Sequence, residues 1–181
     1  MSHVESEVPL DLPGRASDKT ALLLWVAGGV VLLDVLTKQW IVQTFPLYHS
    51  ESILGDVLRL TYTHNPGAAF GIHVGEHSRL FFLSLSLVAL VVLGLVYRST
   101  SPTDRLRLLA VALVSGGAVG NILDRLRYSA GVVDFVDVGI GSHRFPVFNV
   151  ADSAVSIGAI LLLASFYLEG REEKDGPEPE G

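Results

Sequence analysis

Asp134 and Asp152 are the residues in this sequence best placed to do chemistry. Asp134 stands in Val132-Val133-Asp134-Phe135, and Asp152 in Phe148-Asn149-Val150-Ala151-Asp152-Ser153. Each lies beside or just inside an apolar stretch long enough to cross a membrane. Carboxylates are expensive at membrane depth, rare there, and usually mark a functional site. Two that share a site hold one proton between them, because adjacent anions repel. The ionised member can take a proton from water while the protonated member hydrogen-bonds a carbonyl, which is what peptide hydrolysis needs. The same pair would also suit a proton or ion pathway, and two aspartates near a helix end can be purely structural. Spacing alone leaves these readings open. Asp152 falls early in an expected helix, whose N-terminal dipole favours an anion, so Asp152 is expected as the base and Asp134 as the acid.

The elements that position this pair are apolar. Of 181 residues, 49% are hydrophobic, the mean hydropathy is +0.45, and the net charge of −6 lies mostly in tails and loops. No basic stripe points to nucleic acid. The sequence has no cysteine, which removes thiol catalysis and disulfides. Four blocks have the composition of spanning helices, at about 21–42, 80–97, 108–126 and 146–168. Residues 1–19 and 170–181 are polar and rich in acidic residues and proline, so they are expected to be disordered tails. The basic loop from Arg98 to Arg107, with Arg15, Lys19, Arg171 and Lys174, places both termini and this loop in the cytoplasm by the positive-inside rule.

Residues 45–75 are too polar to span. Leu58, Leu60 and Tyr62 alternate with Arg59, Thr61 and Thr63, which predicts a strand, and Asn65-Pro66-Gly67 predicts a tight turn. This segment is expected to form a small extracytoplasmic sheet on the membrane surface. His64, His73 and His77 lie nearby and read as surface histidines rather than a metal site. Residues 128–145, which carry Asp134 and Asp137, read as a second outer loop. The fold class is therefore an all-α membrane protein of four transmembrane helices with a small β-sheet.

Further polar residues fall on faces that can support the pair. Asp34 and Lys38 are i and i+4 on the first helix and can pair, bracing the site or sitting at one membrane surface. Ser115 to Gly120 is a run of small residues that lets helices approach closely. Asn121 and Arg125 share a face of the third helix, where an amide and a guanidinium can hold carboxylates or a substrate carbonyl. Pro146 suits the first position of the fourth helix, which puts Asn149 and Asp152 on one face within its first two turns.

In this order, the motifs closely resemble those of the bacterial signal peptidase II family. Asp34 and Lys38 match the charged positions of its first helix. Asn65-Pro66-Gly67-Ala68-Ala69-Phe70-Gly71 resembles its Asn-x-Gly-x-Ala-Phe-Gly loop. Gly116 to Asn121 with Asp124-Arg125 resembles its third-helix motif. Val133-Asp134-Phe135 and Phe148 to Asp152 resemble the segments carrying its two aspartates. The resemblance spans nearly everything between the polar tails. It implies an intramembrane aspartic endopeptidase of the bacterial cytoplasmic membrane, acting as a monomer near the outer face. Its substrates would be prolipoproteins already carrying a diacylglyceryl group, cut just before the lipidated cysteine. Asp134 and Asp152 would be catalytic. Asp34, Lys38, Asn65, Gly67, Phe70, Gly117, Asn121, Asp124, Arg125 and Asn149 would line or support the site. Membrane lipid is an expected partner, and neither metal nor cofactor is implied. The Asn65–Gly71 loop, with Phe70, would act as a lid over the pair. A presenilin-type protease is a weaker reading, since its Gly-x-Gly-Asp arrangement is missing, and a proton-coupled carrier is the rival from another class.

Overall fold

The computed structural model of the chain describes residues 14–67 and 75–175. Four of its helices are long and apolar enough to cross a membrane: α1 (Gly14–Thr44), α2 (Ser78–Ser99), α3 (Arg105–Arg127) and α4 (Val150–Asp175). At 1.5 Å rise per residue, α2 with its 22 residues is about 33 Å long, enough for a hydrocarbon core of about 30 Å. The outward faces of these helices are apolar. Trp25, Leu32, Val88, Val91, Leu95, Ile160 and Leu163 are all exposed, which suits contact with lipid rather than water.

Helix α3 is the axis of the bundle and its most buried helix, packed by α1, α4 and α2. Its glycines explain how. A Cβ built on Gly116 would stand 2.8 Å from the Ala27 carbonyl oxygen and 2.9 Å from Val30 Cβ. One on Gly117 would collide with the Ala151 carbonyl and come 2.7 Å from Val155 Cγ2. In lipid, where helices gain little from the hydrophobic effect, such close backbone approach is a main source of association.

Strands β1 (Ser50–Leu54), β2 (Leu58–Asn65), β3 (Val132–Ile140) and β4 (His143–Arg144) form one antiparallel sheet in that order. The sheet is therefore not built from residues 45–75 alone. Half of the segment expected as a second loop is β3, paired to β2 with Thr63 opposite Asp134 and Asn65 opposite Val132. A cluster of Ile41, Tyr62, Val133 and Phe135 fastens the sheet to the end of α1. Phe148 then joins the sheet: its carbonyl accepts from the Phe135 and Val136 amides at 3.0 and 2.7 Å, and its own amide donates to Val136 at 3.1 Å.

That pairing corrects the expected start of the fourth helix. Residues 146–148 are drawn along the sheet, so Pro146 does not open α4, which begins at Val150. The first helix also starts earlier than expected, at Gly14, and α4 runs on to Asp175, so 14–19 and 170–175 are helical rather than disordered. Lys19 anchors the early turn of α1, donating to the Thr100 carbonyl at 2.7 Å and lying over the Tyr97 ring. The expectations for 1–13 and 176–181, and for Phe70 and the 68–71 part of the lid loop, lie outside the described residues.

Candidate active site

At the sheet end of the bundle, a buried polar network joins α1, α3, β3 and α4. Its hub is Lys38, which is 3% exposed. The ammonium has three protons to place, and three acceptors meet it: Asp34 Oδ2 at 2.7 Å, Asp124 Oδ2 at 2.9 Å and Asn121 Oδ1 at 3.1 Å. Each acid has a second task. Asp34 Oδ1 accepts the Ala151 amide of α4 at 2.9 Å, and Asp124 Oδ2 accepts the Val133 amide of β3 at 3.0 Å. One lysine thus ties the first turn of α4 and the strand carrying Asp134 to the same point on α1. Buried charges tolerate such a place only when paired and hydrogen-bonded.

The two asparagines connect this hub to the aspartates. Because Lys38 can only donate, the atom of Asn121 facing it is the oxygen. Its nitrogen therefore faces Asp152, donating to Oδ1 at 2.8 Å. Asn149 is fixed by the same logic. Its Oδ1 accepts the Asp152 amide at 2.8 Å, while the Asp152 carboxylate reaches back to the Asn149 amide at 3.3 Å. This is a reciprocal capping box at the N-terminus of α4. The Asn149 side-chain nitrogen is then left to donate to Asp134 Oδ1 at 2.7 Å, with Asn121 Oδ1 and the Val133 carbonyl both at 3.2 Å. A single residue, fully buried, touches both aspartates.

Their settings differ. Asp134 is 1% exposed on β3. Burial first, and the neighbouring Asp152 charge second, push its carboxyl up to about 7, against the hydrogen bonds from Asn65 and Asn149. Asp152 sits in the first turn of α4, where the helix N-terminus favours an anion. Arg125 is on the same side. It donates to the Asn121 carbonyl at 3.3 Å, lies over the Phe82 ring of α2, and is within electrostatic reach of Asp152, Asp134 and Asp124. Its buried Nε has no acceptor. Gly67 holds φ at +121° and packs so close to Phe82 that a side chain there would strike the ring. Asn65 Oδ1 accepts the Gly67 amide at 2.9 Å, which shapes the turn beside Asp134.

Asp34, Lys38, Asn65, Asn121, Asp124, Arg125 and Asn149 therefore gather around Asp134 and Asp152. Gly67 borders them through Phe82. Gly117 does not line the site; it lies at the α3–α4 seam. Asp137 points away from Asp134 on the alternate face of β3, bound to Arg144 at 2.6 Å and Thr61 at 2.8 Å. His64 contacts the Tyr62 hydroxyl and the Gly131 carbonyl, and His73 lies outside the described residues. Sequence reasoning missed Phe82 and the backbone amides of Val133 and Ala151. Phe82 has no signal in an otherwise uniform apolar helix. The asparagine three residues before Asp152 was a usable capping signal.

The chain is similar to known proteins over most of its length. Residues 26–168 match the family model described as signal peptidase (SPase) II. The lipoprotein signal peptidase of Geobacillus kaustophilus (strain HTA426) is 39% identical over 150 residues, covering 83% of this chain and 96% of that protein. That of Yersinia pseudotuberculosis serotype O:1b (strain IP 31758) is 41% identical over 153 residues, covering 83% and 89%. A solved bacterial membrane enzyme, determined by the in meso method at 2.3 Å, superposes with a TM-score of 0.76 at 31% identity, covering 88% of this chain and 95% of that one. On the strength of this match, which runs through every element of the network, the chain belongs to the signal peptidase II family.

Proposed function

We propose that this protein is an intramembrane aspartic endopeptidase that removes the signal peptide from diacylglyceryl-modified prolipoproteins, cutting just before the lipidated cysteine. Family membership and the four apolar helices support a bacterial membrane protease. The aspartic mechanism rests on one observation above all. Asp134 is held near 7 beside an Asp152 that accepts hydrogen bonds from Asn121 and Asn149. Below about pH 7 Asp134 keeps its proton, while the N-terminus of α4 favours an anion at Asp152.

The steps follow from that distribution. Ionised Asp152 takes a proton from a water as its oxygen attacks the scissile carbonyl carbon. Protonated Asp134 donates to the carbonyl oxygen as it becomes tetrahedral. The proton gained by Asp152 then passes to the departing nitrogen, Asp134 takes back a proton from the tetrahedral hydroxyl as the carbonyl re-forms and the C–N bond breaks, and the pair returns to its singly protonated state. Arg125 is placed to hold a substrate carbonyl and to temper the negative charge of the pair. Asn149 and Asn121 keep the two carboxyls in register, while Lys38, Asp34 and Asp124 brace α4 and β3 against α1.

The membrane frame completes the reading. With the Arg98–Arg107 loop and both termini in the cytoplasm, the sheet and the aspartates lie at the outer face. A lipid-anchored substrate presents its scissile bond at that depth. The sheet then rests on the membrane surface. The test is purified protein in lipid, given a diacylglyceryl-modified precursor, with the products weighed. A single cut immediately before the modified cysteine is expected. A cut elsewhere, or equal cleavage of the unmodified precursor, would remove the substrate assignment.

A further inference from the structure

Behind the proposed active-site network, α1 and α3 part near the sheet end and leave a cavity of about 410 Å³ on the lipid-facing side of their seam. Its wall is apolar, made by Val35, Leu123 and Leu126, all exposed. Its rim is polar. Arg127, the last residue of α3, donates to Gln39 Oε1 at 3.0 Å and lies 5.2 Å from the centre of the Tyr128 ring. Its floor is the Lys38–Asp124 ion pair.

Arg59, Arg107 and Arg144 each pair with a carboxylate and Arg125 sits among three, whereas Arg79, Arg98, Arg105, Arg127 and Arg171 have no carboxylate partner among the described residues. Of these five, Arg127 is the one that lines this groove. Among the described residues no carboxylate pairs with Arg127, and its remaining N–H groups find no acceptor. It stands where a spanning helix ends, at headgroup depth, with an aromatic beside it as membrane interfaces favour. A guanidinium there matches the geometry of a phosphate. A greasy wall directly below matches an acyl chain.

We propose that this groove holds one phospholipid, its phosphodiester on Arg127 with Gln39 and Tyr128 and one acyl chain along Val35, Leu123 and Leu126. The lipid covers the Lys38–Asp124 pair and keeps water from the back of the network. A diacylglyceryl group fits less well, since it is uncharged and would leave Arg127 unanswered. The groove is thus a site for structural lipid, distinct from the place where a lipidated precursor would be cut. The proposal requires that α1 and α3 cross the membrane; it does not require peptidase chemistry.

Native mass spectrometry of the full chain released from detergent micelles tests this directly. Phosphatidylglycerol, diacylglycerol and inorganic phosphate are titrated separately, and bound copies are counted. One phosphatidylglycerol per chain is expected, held roughly tenfold or more tightly than diacylglycerol, as a charge-assisted hydrogen bond would give. Arg127→Gln should lower its affinity to the diacylglycerol level, and Arg127→Lys should restore part of it. Inorganic phosphate alone should not bind. Leu123→Trp, which fills the wall while leaving Arg127, covers the case in which the arginine variant fails to fold, and it too should exclude the lipid. Equal phosphatidylglycerol retention by wild type, Arg127→Gln and Leu123→Trp would overturn the proposal. So would phosphate binding without an acyl chain, or a second copy of the protein occupying the seam in place of lipid.

Discussion

Replacing Asp134 by asparagine should make the folded protein more stable at alkaline pH while sharply slowing cleavage. The carboxyl is pushed from an ordinary 3.8 up to about 7 in the fold. A difference of about three units at 1.36 kcal/mol each amounts to about 4 kcal/mol. The sign follows from proton uptake. Between pH 4 and 7 the folded state holds a proton on Asp134 that the unfolded chain has released, so stability falls as pH rises through this window. It is greatest below pH 4 and reaches its lower plateau above 7, where both states are ionised. Asp134→Asn removes this titration. The new amide oxygen can still accept from Asn149, but the amide nitrogen faces the donor of Asn65, which costs about 1–2 kcal/mol. A net gain of about 2–3 kcal/mol at pH 8 remains, and at 2–4 °C per kcal/mol this is roughly 5–10 °C in Tm. Thermal scans of both proteins in one detergent at pH 5 and pH 8 measure it, with the difference between proteins cancelling other titrations. The reasoning is refuted if the variant melts below wild type at pH 8, or if the two curves keep a constant separation across the window.

Other consequences follow from the same network. Cleavage should decline as pH rises through about 7, because Asp134 loses the proton it donates; a flat profile to pH 9 would argue against its acid role. Lys38→Met should destabilise the protein by about 3–5 kcal/mol, since it strands Asp34 and Asp124 as buried unpaired charges, and adding Asp124→Asn should recover part of the loss in the same melting assay. Gly117→Ala should cost about 1–3 kcal/mol by forcing α3 from α4, whereas Gly94→Ala, with open space around it, should leave the melting temperature unchanged. Asn149→Ala should lower stability by about 1–2 kcal/mol through the lost cap and slow turnover as well, because both aspartates lose their common partner.

Much of this architecture was legible in the chain. The four apolar blocks follow from composition alone, and the alternation from Leu58 to Thr63 announced β2. Asp134 and Asp152 stood out because carboxylates are scarce among such neighbours. Other features needed the third dimension. β3 was read as loop because its partner β2 lies some seventy positions earlier, with no short turn to signal a hairpin. Yet Val132-Val133-Asp134-Phe135-Val136 is rich in β-branched residues. Pro146 looked like a helix start because local rules cannot foresee Phe148 being captured by Val136. The early turn of α1 depends on Lys19 meeting a carbonyl 81 positions away. The tie from Asp34 to the Ala151 amide is invisible in sequence for the same reason.

The measurement closest to the central proposal is single-turnover cleavage of a diacylglyceryl-modified precursor by Asp134→Asn and Asp152→Asn, each reconstituted in lipid and shown to be folded. With one carboxyl as acid and the other as base, each replacement should slow cleavage by roughly 10²- to 10⁴-fold, and the double variant should be little worse than either alone because the two act as a unit. A single variant that cuts within tenfold of wild type at the same bond would contradict the account.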